Sequence, residues 1–389
     1  MKKELLKLFL LLLLASHVTL YTFNEVAASI YEKAGTVGAQ FLKIGVGARP
    51  AALGDSYGAV TGDANTLFWN PAGMADIDNP VLSLYHNRWI AGINRQSVAF
   101  AYPTPWGVWG GGLQYLYMDE LIGRDEDGEE SIPRFKSYNM AALISYSQRI
   151  DQWIEAGAGL RVGLNFKIIY EQIAEASASG FALDIGGLFA FGERWSNFNG
   201  LTAGFSVKNL GTKLKLINES YALPLNLKLG LAYRFFSKKA MATVDINKFS
   251  DTGFQMGWGF EYQLYETLQV RAGYFKKEDL GKGIRLGMGF KIGEWSFDYA
   301  YVPMGKLEDT HRMNLNIRFG QEKKRKMGQK QVKEEPRATV QTQEQEGAAV
   351  RQVQDQSSSP LEMDTELERV RLLRQAVEGL MGLILNVSQ

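Results

Sequence analysis

The chain has 389 residues, a formal net charge of +1 at pH 7 and no cysteine, and 12% of its residues are aromatic. The lack of cysteine excludes disulfides, thiolate nucleophiles and cysteine-based zinc sites, and the near-neutral charge gives no general attraction to nucleic acid. The histidines, His17, His86 and His311, are too scattered to predict a metal site or a catalytic triad. We therefore expect no enzyme activity, no cofactor, no metal site and no nucleic-acid partner.

The first residues have the pattern of a secretory signal peptide. Lys2 and Lys3 precede the apolar run Leu8–Ala15, and residues 26–28 (Val-Ala-Ala) are small enough for a signal peptidase to cut after them. The apolar run is shorter than the roughly 20 residues that a membrane-spanning helix needs, and no later run is long enough. We expect residues 1–28 to be a signal peptide, and we expect any insertion into a membrane to use strands.

Residues 29–80 include a stretch of small residues, from Ala39 to Ile77, that has too few large side chains for a core of its own. Because Gly and Ala permit close approach, this stretch is predicted to fit against backbone inside a larger structure. Asp63 is predicted to cap a helix over residues 64–69. Pro71 predicts a sharp, fixed turn over residues 70–73, a feature that on its own has ordinary structural value.

Three short motifs stand out in this stretch: QFLKIGVGAR at residues 40–49, DAN at residues 63–65 and WNPAG at residues 69–73. Together they resemble the N-terminal signature of the PorV/PorQ family of outer-membrane barrels. That family is related to the FadL-like transporters of hydrophobic compounds, whose N-terminal plug also carries an Asn-Pro-Ala-Gly turn. The resemblance implies that residues 29–80 form a plug in a barrel lumen. The plug or gating residues that it implies are Arg49, Asp63, Asn65, Trp69, Asn70, Pro71 and Gly73.

From Val81 to Phe319 the hydrophobic pattern has a period of two, which is the period of a β-strand. In residues 225–235, for example, Leu and aromatic residues alternate with Asn226, Lys228 and Arg234. A soluble sandwich alternates in the same way. Long charged side chains on the polar face, aromatic residues near the strand ends and an even count of about fourteen strands favour a closed barrel.

The sequence therefore predicts an all-β fold, namely a transmembrane antiparallel β-barrel of about 14 strands over residues 81–320, in contact with outer-membrane lipid. If the first strand rises from the periplasm, the loops expected outside are long, at residues 118–134, 210–223 and 303–312. The turns expected on the periplasmic side are mostly short, at residues 103–105, 237–238, 265–266 and 293–294, with residues 193–199 as an exception.

The polar faces of the strands are predicted to line the lumen. The charged residues expected there are Arg161, Lys167, Asp184, Lys208, Lys228, Arg234, Glu261, Arg271, Arg285, Asp298 and Arg318. They could form a solute path, or they could compensate one another and the plug, since buried charges need partners. Arg49 is predicted to pair with Asp184, Glu261 or Asp298, and the sequence does not choose among these three.

Two loops invite functional interpretations that their patterns do not favour. The glycines at residues 110–112 lack the following helix and the Lys-Ser/Thr pair of a phosphate-binding loop, so we expect a bend of the wall or a close approach of the plug. The acidic loop at residues 119–130 lacks the spacing of an EF-hand. We expect it to be solvated, with a weak divalent-cation site at the surface as the alternative.

The last seventy or so residues follow the final predicted strand. Residues 321–360 are charged, rich in Gln and Ser and free of aromatic residues, which predicts a disordered linker. Residues 361–389 change to a helical period, which predicts an amphipathic helix. Its apolar face carries Leu367, Val370, Leu373, Val377, Leu380 and Ile384. With an even strand count this tail is periplasmic, and the helix is expected to dock on a partner, on a second copy or on the membrane surface.

Two functions remain open. The resemblance to PorV/PorQ implies an accessory or shuttle component of type IX protein secretion, which binds cargo or translocon partners. The alternative is a FadL-like transporter of hydrophobic small molecules across the outer membrane. A continuous apolar cavity beside the plug would favour transport, and a sealed lumen would favour the binding role, since the fold alone does not decide function.

Overall fold

The computed structural model describes residues 34–124, 126–130, 132–150, 159–191, 198–276, 283–307 and 309–320. The chain divides into two compact units, residues 1–325 and 326–389, and all described residues belong to the first. The predicted signal peptide, linker and C-terminal helix lie outside the described residues. Within the described ranges, no helix has the length and apolar content needed to cross a membrane.

Fourteen antiparallel strands close into a barrel, as the alternation predicts. These strands are β1 Val81–Arg88, β2 Asn94–Thr104, β3 Gly107–Tyr117, β6 Ser137–Arg149, β7 Gly159–Ile173, β8 Ala176–Ala190, β9 Leu201–Gly211, β12 Asn226–Phe235, β13 Ala240–Phe249, β14 Phe254–Gln263, β15 Leu268–Lys276, β16 Ile284–Ile292, β17 Trp295–Val302 and β18 Thr310–Arg318. Each barrel strand pairs with its neighbour along the chain, and β18 pairs with β1 to close the wall. Every strand edge of the barrel is therefore satisfied, as a membrane requires.

Side chains alternate between the two faces of each strand, as the period of two predicted. In contrast to a soluble protein, the apolar side chains point outward and the polar ones point inward. On β12, the side chains of Leu227 and Leu229 are 46% and 58% exposed on the outer surface, while Lys228 is 1% exposed and faces the lumen. The other barrel strands also place exposed apolar side chains outside, such as Ile144 on β6 and Phe205 on β9. An apolar exterior around a polar interior suits a wall surrounded by lipid.

Both ends of the barrel chain lie at one mouth, because β1 begins there and β18 ends there. We call this end the terminal mouth and the opposite end the loop mouth. The loop mouth carries two small hairpins that the sequence alone did not predict. They are formed by β4 Leu121–Gly123 with β5 Ile132–Phe135, and by β10 Leu214–Leu216 with β11 Glu219–Tyr221.

The short turns predicted at residues 237–238, 265–266 and 293–294 lie at the terminal mouth. The loop mouth does not have long connections alone, since a tight turn at residues 174–175 joins β7 to β8 there. The described helices are all short: α1 Ala48–Ala52, α2 Thr66–Trp69, and 3₁₀ helices at Gln40–Lys43, Pro71–Asp76, Ile90–Gly92 and Gly305–Leu307. Four of these six lie before β1, inside the barrel.

Candidate functional site

Residues 34–80 run through the barrel lumen from the loop mouth to the terminal mouth, and we call them the lumenal segment. Near the loop mouth, the Gly38 N–H donates to the Ala222 carbonyl oxygen over 2.9 Å. Near the terminal mouth, the Asp76 carboxylate accepts from Arg161 Nε over 2.8 Å and also from Arg149. The segment is thus tied to the barrel at both of its ends.

The β10–β11 hairpin packs against the lumenal segment at the loop mouth. Leu214 of this hairpin is buried and packs in one cluster with Ala39, Phe41 and Leu42 of the lumenal segment. A loop predicted to be an exposed outer connection therefore turns inward toward the segment.

Small residues let the lumenal segment lie directly against the wall, as its composition predicts. A Cβ atom at Gly259 of β14 would lie 2.6 Å from the Leu53 carbonyl oxygen, and one at Gly273 of β15 would lie 2.6 Å from the Ala52 carbonyl oxygen. Glycine is needed at these positions because such distances leave no room for a side chain. Gly112 of β3 is one of the glycines predicted to mark a bend of the wall or a close approach of the plug, and its Cβ would lie 2.9 Å from Leu67 Cδ2.

The turn at residues 70–73 is as fixed as its proline predicts. Asn70 Nδ2 donates to the Gly58 carbonyl oxygen over 2.7 Å, and Asn70 Oδ1 accepts from the Ala72 N–H over 3.2 Å. Pro71 begins a 3₁₀ helix whose first free N–H is thereby capped. Gly73 is enclosed, since its Cβ would lie 2.6 Å from the Val60 carbonyl oxygen.

The helix predicted over residues 64–69 begins later than expected. It starts at Thr66, and Asp63 does not cap it. Instead, Asp63 Oδ1 accepts from the backbone N–H of Asn65 over 2.8 Å, which forms a local turn that competes with helix. Trp69 at the helix end is held by its Nε1, which donates to the Val46 carbonyl oxygen over 2.8 Å.

Arg49 joins the lumenal segment to the wall through Glu261. Its Nε and Nη2 donate to the two Glu261 oxygens over 2.7 Å each, and its Nη1 lies 3.2 Å from Asp63 Oδ2. On the wall, Arg271 Nε donates to Glu261 Oε2 over 2.6 Å, and Arg271 Nη1 donates to Asp298 Oδ1 over 2.7 Å. Charges of both signs therefore alternate through this group, which offsets the cost of burying them.

Of the three alternatives predicted for Arg49, Glu261 is the partner, and the other two carboxylates pair with other residues. Asp298 pairs with Arg271 in the same group but makes no hydrogen bond with Arg49. Asp184 lies elsewhere, 2.7 Å from Lys167 Nζ, and it accepts from the Asn209 N–H over 2.8 Å. The strand register brings Asp184 beside β7, because its neighbour across the ladder is Asn165.

Asp245 is a contact residue that the sequence reasoning missed. Its Oδ2 accepts from the backbone N–H groups of Tyr57 and Gly58, over 2.8 and 2.7 Å, and lies 2.9 Å from Lys228 Nζ. Its position on the lumenal face of β13 follows from the same alternation that predicts Lys228. Asp55 was missed as well, and its Oδ2 lies 2.8 Å from Arg285 Nη1.

Most residues predicted to line the lumen are buried there. Those with buried side chains are Arg161, Lys167, Asp184, Lys208, Lys228, Glu261, Arg271, Arg285 and Asp298. Arg234 is half-buried, and Arg318 is exposed at the rim of the terminal mouth. Arg318 lies on the lumenal face of β18, but it is the last residue of the strand, and its side chain is exposed to solvent.

The acidic loop forms the β4–β5 hairpin, where Arg124 Nη2 lies 2.7 Å from Glu130 Oε1 and Lys136 Nζ lies 3.3 Å from Glu120 Oε1. Among the described residues, no group of His, Cys, Asp or Glu side chains is placed to hold a metal ion.

Two cavities flank the lumenal segment. One of about 380 Å³ lies toward the loop mouth, with Phe41, Trp89 and Arg312 among its walls. One of about 610 Å³ opens at the terminal mouth, with Arg49, Asp63 and Arg318 among its walls. The two cavities have no wall residue in common.

The fold and the lumen define a closed β-barrel with an apolar outer surface and a polar interior occupied by the lumenal segment, the form of an outer-membrane protein. The sequence model of the family described as type IX secretion system protein PorV matches residues 28–252. The chain therefore belongs to this family of outer-membrane barrels.

The other comparisons give similarity of shape and little of sequence. No curated protein matches the chain. A deltaS2 mutant of the monoaromatic hydrocarbon channel TodX is 11% identical, with a TM-score of 0.49, over 70% of this chain and 97% of that one. The Ralstonia pickettii toluene transporter TbuX is 13% identical, with a TM-score of 0.49, over 71% and 99%. The P. putida toluene transporter TodX is 12% identical, with a TM-score of 0.48, over 71% and 99%.

Proposed function

We propose that this chain is a non-enzymatic component of type IX protein secretion that binds cargo or translocon partners and does not carry small molecules through its lumen. The observation that carries the proposal is that the lumenal segment occupies the lumen, with two cavities beside it that share no wall residue. The lumenal segment reaches from mouth to mouth, and its backbone touches glycines of the wall at Gly259 and Gly273. Membership of the PorV family supports the same role.

The hydrogen bonds and ion pairs that hold the lumenal segment support a static plug rather than a gate. Asp245 holds two of its backbone N–H groups, Glu261 holds Arg49, and Arg161 holds Asp76. Opening a path would break several buried charge-assisted contacts at once, each of which is costly to leave unpaired.

Surfaces outside the lumen are the proposed places of partner binding. The acidic loop at residues 119–130 stands at the loop mouth, and the predicted helix at residues 361–389 provides an apolar face for a periplasmic partner or for self-association. In this proposal the chain is exported by its signal peptide, and the terminal mouth faces the periplasm.

The experiment fixes the segment covalently. A Cβ atom at Gly38 would lie 3.6 Å from Leu214 Cβ, which suits a disulfide, and the chain has no cysteine of its own. The double variant Gly38→Cys with Leu214→Cys is purified from the native outer membrane in oxidised and reduced forms, with Gly38→Cys alone as the control.

Two measurements separate the functions. We expect oxidised and reduced protein to recover the same secretion partners in equal amounts, and neither to pass a monoaromatic hydrocarbon into proteoliposomes. Saturable hydrocarbon uptake that occurs in the reduced form and stops on oxidation would instead establish a gated transporter.

A further inference from the structure

A patch of buried polar residues lies on the lumenal faces of β18, β1 and β2, near the loop mouth. In the strand register, Asn87 is opposite Arg312 on one side and Arg95 on the other, and Tyr85 is opposite Asn314 and Ser97. All six side chains are buried. They face the same space because residues two apart on a strand point the same way.

Many polar atoms of this patch have no hydrogen-bond partner among the described residues. The atoms are Tyr85 Oη, Asn87 Oδ1 and Nδ2, Arg95 Nε, Ser97 Oγ, Arg312 Nε and Nη1, and Asn314 Oδ1. Buried polar groups are rarely left unpaired, because each costs the free energy of its lost hydration. A concentration of them on adjacent strands therefore points to a polar group that binds there.

The charged residues of the patch indicate the sign of the charge that a group bound there would carry. Arg95 and Arg312 are 1% and 3% exposed, and within the described part of the chain neither forms an ion pair. The nearby cations are already matched, since Arg285 pairs with Asp55 and Lys43 Nζ lies 2.5 Å from Asp251 Oδ2. Arg95 donates from Nη1 to the Ile44 carbonyl oxygen and from Nη2 to Gln114 Oε1, so it is hydrogen-bonded but its charge has no anionic partner. Arg312 has two buried N–H groups without an acceptor, and an anion would accept from them and offset its charge.

Asp55 does not supply it. Burial alone would raise the pKa of Asp55, but Arg285, Arg312 and Lys228 outweigh burial and hold its pKa below the ordinary value. The carboxylate is therefore charged, but its Oδ2 pairs with Arg285 Nη1, and Nε and Nη1 of Arg312 are left without an acceptor.

Of the six patch residues, only Arg312 lines the cavity of about 380 Å³. That volume is in the lower range of small-molecule pockets. The cavity wall also presents Trp89 Nε1 as an unpaired donor, and Asp55 Oδ1 and Asn139 Oδ1 as unpaired acceptors. A ligand that satisfies this wall needs both an oxyanion for the donors and a hydrogen-bond donor for the acceptors.

We propose that this cavity is a binding site for a small oxyanion, a carboxylate or a phosphate, that also carries a hydroxyl group. Arg312 binds the oxyanion and Trp89 adds a neutral donor, while Arg95, which does not line the cavity, adds positive charge two strands away on β2. Guanidinium groups suit this task because their N–H groups match the spacing of carboxylate and phosphate oxygens. The site does not depend on the proposed secretion role, and its absence would leave that role untouched.

The test uses the full chain in detergent, in chloride buffer of constant ionic strength, with lactate, inorganic phosphate and acetate as the probes. Calorimetry gives the dissociation constant, and the temperature at which the barrel unfolds gives the stabilisation. We expect lactate or phosphate to bind and to stabilise the wild type, and acetate, which carries no hydroxyl, to bind more weakly.

Variants locate the site. Arg312→Gln is expected to weaken binding by about tenfold or more, since a charge-assisted hydrogen bond is lost, and to be no less stable than the wild type without ligand, because an uncompensated buried charge is removed. Arg318→Gln, on the same face of β18 but exposed, should bind as the wild type does. Trp89→Phe, which keeps the shape and removes one donor, is the second variant should Arg312→Gln fail to fold.

The proposal is wrong if neither lactate nor phosphate binds the wild type more tightly than chloride does. It is also wrong if Arg312→Gln and Trp89→Phe keep wild-type affinity, or if Arg318→Gln loses as much affinity as they do.

Discussion

Arg49 and Glu261 form a two-pronged ion pair, in which two N–H groups of the arginine donate to the two carboxylate oxygens over 2.7 Å each. The pair links Arg49 of the lumenal segment to Glu261 of β14, although the two residues are more than two hundred positions apart in the chain. Because Glu261 also accepts from Arg271 of β15, the position of the segment is coupled to the pairing of two wall strands.

Glu261→Gln tests this coupling. The change leaves Arg49 and Arg271 buried with one carboxylate fewer, so we expect a loss of roughly 3 kcal/mol of stability, typical of breaking a buried ion pair. The measurement is the temperature at which the folded band converts to the unfolded one on denaturing gels. Glu130→Gln, which breaks the exposed pair with Arg124, should lower stability by at most about 1 kcal/mol. Equal shifts for the two variants would show that the Arg49 pair does not hold the segment.

Gly73→Val tests the fit of the segment. A side chain at this position would overlap the Val60 carbonyl oxygen and Thr66, so we expect a reduced yield of folded barrel. Gly187 of β8 is the matched control, because nothing lies within 4 Å of its Cβ position and its backbone is ordinary. Gly128 in the acidic loop is a weaker control, since its φ of +82° disfavours valine although the space is open. Equal folded yields of Gly73→Val and Gly187→Val would contradict a tightly packed segment.

The sequence was enough to predict the wall, because a period of two assigns each side chain to one face without knowledge of the rest of the structure. Lys228 and Asp298 were placed in the lumen on this basis alone, and both are buried there. The same rule would have found Asp245, had every acidic residue on a lumenal face been considered.

The contacts across the lumen could not be predicted in the same way. The carboxylate that pairs with Arg49 is determined by the position of each residue along the barrel axis and by the path of the segment. Neither can be read from the local sequence pattern. Asp184 and Glu261 both face the lumen, but only Glu261 lies at the height that Arg49 reaches. The inward turn of Leu214 is a comparable case, since a hairpin that packs against the lumenal segment looks like any polar loop in sequence.

Acid pH tests the tie at the terminal mouth. Burial alone would raise the pKa of Asp76, but Arg161 and Arg149 outweigh burial and hold its pKa below the ordinary value. A carboxyl group with a lowered pKa stabilises the fold above its unfolded pKa of about 3.9, and this contribution is lost as the pH falls through the folded pKa.

The wild type should therefore be more stable than Asp76→Asn by a constant amount between pH 7 and about pH 5, and the difference should shrink below about pH 4. Unfolding midpoints of both proteins across this range provide the measurement. Asp119→Asn, in the exposed acidic loop, is the control, and at pH 7 it should be as stable as the wild type. A difference between wild type and Asp76→Asn that grows on acidification would contradict the assignment.

Removal of the tail tests whether the barrel and its partner contact are separable. The described chain completes the barrel at Arg318, where β18 closes onto β1 at Val81, so no residue after Gly320 is needed for closure. A chain that ends after Gly320 should insert in the outer membrane and keep its heat-dependent shift on gels, but lose a partner or its self-association.

Replacing Leu373 and Leu380 by Asp in the full chain should have the same effect, because each places a charge in the predicted apolar face. Gln389→Asp, at the chain end and outside that face, is the control that adds charge to the tail. Failure of the truncated chain to insert would show that the tail belongs to the barrel fold. Retention of every partner by the double Asp variant would show that docking uses another surface.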